Sequence, residues 1–130
     1  MHLLLLASLG GAIGAGLRFL VNQAFAGPEI VRGVSVFPWA TFTVNVAGGF
    51  LMGLVFVVVN ERLGGSHEWR TFLATGILGG LTTFSAYSLD MLVLTEGGIG
   101  LRFLAYTAGS VVLAFAALTA GMWLARTVLV

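Results

Sequence analysis

The chain has 130 residues, of which 58% are hydrophobic and 8% charged, with a mean hydropathy of +1.05. A water-soluble domain carries roughly 25% charged residues, so this composition excludes one and points to a protein embedded in a lipid bilayer. Net charge is +1, from six arginines, no lysine and five acids, which leaves no basic footprint for nucleic acid. Cysteine is absent, so neither disulfides nor thiolate metal sites are available. Nineteen glycines are many for a helical protein in water but fit a membrane bundle, where small residues let helix backbones approach closely.

A membrane span needs about 20 mostly apolar residues. Four stretches qualify, at about 3–25, 39–59, 71–89 and 103–125, joined by short connections. The expected fold is therefore a single all-α unit of four transmembrane helices covering 1–130. The first stretch reads as a span more readily than as a signal peptide, because it has no early Lys or Arg and its apolar pattern runs on to Phe25. Trp39, Trp69 and Trp123 fall near span ends, where interfacial aromatics belong.

Four spans place both termini and the second connection on one side, with Arg62, Arg70 and Arg126. The opposite side holds Arg32 and Arg102, with Arg18 near the end of the first span. The positive-inside rule gives almost no preference between the two orientations. Either something else fixes the orientation, or the chain inserts both ways and pairs antiparallel.

Within the first span, Gly10 and Gly14 form a GxxxG pattern, and Gly49 with Gly53 repeat it in the second. Both are expected to mark tight helix packing and a dimer face. Arg18 is either an interfacial anchor or a fixed positive charge at a pore mouth. In the second span Thr41, Asn45 and Gly48 share one helix face. Asn45, well inside an uncharged run, serves either as interhelical hydrogen-bond glue or as a pore-facing donor.

The third span holds the most unusual stretch, Thr75–Asp90, TGILGGLTTFSAYSLD. Gly79-Gly80 weakens the helix, Thr82-Thr83 offer hydroxyls, and Phe84 and Tyr87 follow at i, i+3 spacing. A break near Gly79–Thr82 would free carbonyls at the end of one half and N–H groups at the start of the next. Carbonyls suit a small cation such as Na+, whereas N–H groups, hydroxyls and the positive edges of aromatic rings suit an anion. A simple glycine kink with ordinary aromatic packing is the competing reading. Asp90 is expected at the interface where this span ends. In the fourth span Tyr106 and Ser110 lie at i, i+4 with Thr107 adjacent, as a polar track or as partners for a neighbouring helix. His2 and His67 stand alone, and no nucleophile, base or phosphate-binding motif supports catalysis.

Three segments in order, GGAIGAGLRF (10–19), TFTVNVAGGFLMG (41–53) and GGLTTFSAYSLD (79–90), resemble the small bacterial fluoride channels, the Fluc or CrcB proteins. The resemblance covers nearly the whole chain. It implies an antiparallel, dual-topology homodimer in the bacterial inner membrane that exports fluoride passively from the cytoplasm. It further implies a structural Na+ on the two-fold axis, held by backbone oxygens that match Gly79 and Thr82 of each subunit. Asn45, Phe84, Tyr87, Thr83, Ser85, Tyr106 and Ser110 match the anion pore, and Arg18 matches a vestibule arginine. The chain departs from the family pattern at Tyr87, where a second phenylalanine is expected and where the hydroxyl adds a donor. It also departs at Asp90, usually Glu, at Ala86, commonly Thr, and at Ala114, expected to be Gly. The alternative, a small multidrug-type dual-topology antiporter, needs a carboxylate in the first span, where this chain has none.

Overall fold

The computed structural model describes residues 1–26, 30–31, 34–96, 98 and 100–129. Arg32, counted in the charge balance, lies outside the described residues. Among the described residues, four helical stretches are long and apolar enough to cross a bilayer: His2–Ala24, Trp39–Arg62, His67–Glu96 and Leu101–Val128. The first is α1 (His2–Ala24). A two-residue antiparallel pair follows, β1 (Ile30–Val31) and β2 (Val34–Ser35). The second span is α2 (Trp39–Val57), which passes into a π-helical turn at Val58–Arg62. The third comprises α3 (His67–Trp69), a π-helical stretch Arg70–Leu78, α4 (Gly79–Leu81) and α5 (Phe84–Glu96). The fourth is α6 (Leu101–Val128).

The second, third and fourth helical stretches outrun the apolar segments that mark them in the sequence. Backbone hydrogen bonding continues past the point where side chains become charged, so Glu61 and Arg62 are helical and α5 carries on six residues beyond Asp90. Asp90 is therefore within a helix and not at its end, contrary to the sequence expectation. The turn between the second and third spans is sharp because Gly64 and Gly65 adopt φ of +62° and +74°, a region that favours glycine. Ser66 then starts α3 by accepting the Trp69 N–H on its hydroxyl oxygen at 3.4 Å.

Two glycine seams hold the bundle. Along the first, α1 meets the third span with almost no side chain between the backbones. A Cβ on Gly14 would stand 2.1 Å from the Ile77 carbonyl oxygen, and one on Gly80 would stand 2.6 Å from that of Gly11. Along the second, α2 meets α6: a Cβ on Gly53 would stand 2.1 Å from the Leu118 oxygen, and one on Gly121 2.1 Å from the Phe50 oxygen. Both GxxxG patterns are thus filled from within the chain, and the expectation that they form a dimer face is corrected. The pattern records that a backbone comes close, not which chain supplies it.

Two small buried clusters form among the described residues. Val44, Leu78 and Leu81 form one; Tyr87, Leu94 and Tyr106 form the other, flanked by Phe37, Phe42 and Phe103. Most other large apolar side chains face outward, among them Leu4, Phe19, Val112 and Phe115. An apolar exterior of this kind suits acyl chains as solvent. The Trp39, Trp69 and Trp123 rings are also exposed, at 54%, 48% and 68%, as a headgroup-level belt requires.

Candidate ion pathway

The third span is interrupted at Thr82. Its backbone turns to the extended conformation (φ −79°, ψ 155°), and helix resumes at Phe84. Thr82 closes the preceding turn twice over, its N–H and its hydroxyl both donating to the Leu78 carbonyl at 2.9 and 2.8 Å. Thr83 is the N-cap of α5: its hydroxyl oxygen accepts the Ala86 N–H at 3.2 Å, satisfying one of the donors that a helix start leaves open. Ser85 stands beside it, with its Oγ 3.1 Å from that of Thr83.

The interruption is docked on the α2 face carrying Thr41, Asn45 and Gly48. The Asn45 amide pairs with the Thr83 peptide on both sides. Its Oδ1 accepts the Thr83 N–H at 2.9 Å, and its Nδ2 donates to the Thr83 carbonyl at 3.1 Å. The glue reading of Asn45 is therefore realised geometrically. An amide nitrogen carries two hydrogens, so one donor remains beyond that bond. Gly48 completes the fit, because a Cβ there would stand 2.3 Å from the Thr82 methyl.

Beside this junction lies an open groove of about 270 Å3 whose lining includes Asn45, Thr82, Thr83, Phe84, Tyr87 and Ser110. The fold thus brings together five of the predicted anion-pore residues from three spans: Asn45 from α2, Thr83, Phe84 and Tyr87 from the third, and Ser110 from α6. Ser85 and Tyr106 are not part of the lining. Ser85 is exposed next to Thr83, and Tyr106 is fully buried behind Tyr87, with ring centroids 5.4 Å apart. Arg18, half-buried on α1, is also absent from the groove and makes no hydrogen bond or ion pair with the described residues.

The aromatic rings form a connected row. Phe84 and Tyr87 lie 5.5 Å apart at 44°, and Phe37 meets Tyr106 edge-on at 5.5 Å. Phe84 is 76% exposed, so its ring projects from the chain rather than into it. Tyr87 is buried, and its hydroxyl donates to the Thr107 carbonyl on α6 at 2.8 Å. The added donor expected in the pore is therefore already engaged within the protein. In the reverse direction, the Tyr106 hydroxyl on α6 donates to Asp90 Oδ2 on α5 at 2.8 Å. Two tyrosines thus clasp α5 and α6 from opposite sides. Neither bond is visible in the residue pattern: Tyr87 and Thr107 are 20 residues apart, and Asp90 reads as interfacial until α5 is seen to continue.

No group of three or more His, Cys, Asp or Glu that could hold a metal exists among the described residues. A cation near the interruption would have backbone oxygens as its ligands. Gly79 is exposed on the surface of the single chain, three residues before Thr82.

A family model described as "CrcB-like protein, Camphor Resistance (CrcB)" matches residues 5–122. The chain belongs to the CrcB-like family. The match contains every segment that forms the groove. Two relatives match over nearly the full length. One, from Chelativorans sp. (strain BNC1), is 49% identical over 99% of this chain and 100% of its own. The other, from Mesorhizobium japonicum, is 47% identical over 98% of this chain and 99% of its own. Both are named "Fluoride-specific ion channel FluC".

Proposed function

We infer that this protein is a fluoride channel, a multi-pass membrane protein and not an enzyme, through which F− leaves the cytoplasm down its own gradient. The observation that carries the reading is the composition of the groove. A small, strongly hydrated anion loses its water shell only where protein donors replace it. The groove offers an amide donor from Asn45, hydroxyls from Thr83 and Ser110, and aromatic rings from Phe84 and Tyr87. Those rings are positive at their edges. Neither Lys nor Arg is among the lining residues. Weak donors in series let an ion both enter and leave, which conduction requires. Tyr106 and Ser85 support the lining from behind and beside it, and Arg18 draws anions toward the mouth.

The working unit in this reading is an antiparallel, dual-topology homodimer in the bacterial inner membrane. The balanced arginines support it, as do the exposed Phe84 ring and the exposed Gly79 backbone, which a second copy would cover. Backbone oxygens of Gly79 and Thr82 from each subunit would hold one Na+. The end of α4 supports this, because the last carbonyls of a helix lack intrahelical partners. A bound cation there would add positive potential close to the anion path.

Expression in bacteria whose own fluoride exporter has been deleted tests the function. The chain should restore growth on fluoride medium, and failure of a well-expressed chain to do so would count against it. A C-terminal tag should be reachable from both faces of the membrane; access from the cytoplasm alone would remove dual topology. At the dimer centre, a density with oxygen neighbours at ~2.4 Å is expected, as for hard cations.

A further inference from the structure

Hydroxyls on these helices ordinarily close on their own backbone. Ser8 donates to the Leu4 carbonyl, Thr82 to Leu78, Ser88 to Phe84, Thr119 to Ala116 and Thr127 to Trp123, at 2.8–3.1 Å. Two hydroxyls on α6 do not. Thr107 Oγ1 and Ser110 Oγ are buried and have no hydrogen-bond partner among the described residues. Ser110 as a whole is only 4% exposed. A buried hydroxyl without a partner has lost its water and gained nothing in exchange. The two lie at i, i+3, one turn apart on the same helix face.

Their location connects them to the groove. Ser110 lines it; Thr107 is outside the lining, and its carbonyl accepts the hydrogen bond of the groove-lining Tyr87 hydroxyl at 2.8 Å. Thr107 is thereby fixed on the α6 side of the Tyr87 ring, one turn from Ser110. We propose that Thr107 is a specificity-determining residue whose hydroxyl, together with that of Ser110, forms a two-donor station for a dehydrated small anion. The inference rests on the fluoride reading and adds Thr107 to it. The Tyr87 bond has a part in this arrangement. It holds α5 to α6 beside the station through the Thr107 carbonyl.

Full-length protein reconstituted in liposomes tests the assignment, with fluoride efflux and melting temperature read in parallel. Thr107→Val keeps the branched shape and removes the hydroxyl. It should slow fluoride efflux about tenfold, as the loss of one donor at the rate-limiting barrier would, with the melting temperature unchanged or higher. Thr107→Ser should restore the rate, and Ser110→Ala should slow efflux to a similar degree. Wild-type efflux in Thr107→Val would overturn the proposal and leave a hydroxyl that meets only water. A fall in both efflux and melting temperature that Thr107→Ser does not rescue would also overturn it, in favour of a packing role. If wild-type protein passed no fluoride, the functional reading itself would fail. If it passed fluoride while Thr107→Val matched its rate, the Thr107 assignment alone would fail.

Discussion

Before Thr82 the third span lies against α1 backbone to backbone, with Gly10, Gly14 and Gly80 leaving no room for side chains. After Thr82, α5 exposes Phe84, Leu89 and Leu92 at 76%, 61% and 64%, and polar side chains tie it in place. Those ties are Asn45 on the Thr83 peptide, Tyr87 on the Thr107 carbonyl and Tyr106 on Asp90. The first half is therefore scaffold: its position follows from steric contact and tolerates no added volume. The second half is aimed: its position follows from a few directional bonds, so individual side chains can be changed without losing the bundle. The candidate site sits where the two regimes meet.

Substitutions can break this contrast, and the largest effect should come from the seam. Gly14→Val places new atoms against the Ile77 carbonyl, where a single Cβ would already be 2.1 Å away. Overpacking costs about 1–3 kcal/mol even where side chains can shift, and here the neighbour is backbone. Gel filtration should show little or no monodisperse protein. Phe84→Ile should do the opposite. Its ring is largely exposed on the single chain, so folded protein should be recovered in wild-type yield, yet fluoride efflux should stop. Normal efflux would remove Phe84 from the pathway. Tyr87→Phe should have the smallest effect. It deletes one hydrogen bond, worth about 1 kcal/mol, and should lower the melting temperature by a few degrees while fluoride still passes. Loss of all efflux in this variant would mean that the Tyr87 hydroxyl does more than hold α5 to α6.

Much of this was legible from the residues. Uncharged runs located the spans, because the bilayer thickness sets their length. The Gly79–Tyr87 stretch announced itself because glycines, hydroxyls and aromatics seldom cluster in an ordinary lipid-facing helix. The glycine patterns were half legible: they promised close backbones, but Gly10 and Gly53 could not say whether the neighbour was the same chain or another. Side-chain direction was not legible at all. Tyr87 differs from phenylalanine by one oxygen, and only the placement of α6 shows that this oxygen meets the Thr107 carbonyl. Asp90 read as interfacial because the apolar run stops there, whereas backbone hydrogen bonding carries α5 on to Glu96.

The most direct test of the account is ion efflux from liposomes containing only the purified protein, with fluoride and chloride loaded in parallel. Rapid fluoride release with chloride retained is the predicted result. Equal release of both anions, or retention of fluoride by vesicles shown to contain folded protein, would contradict the claim that the Asn45–Thr83–Ser110 groove conducts fluoride.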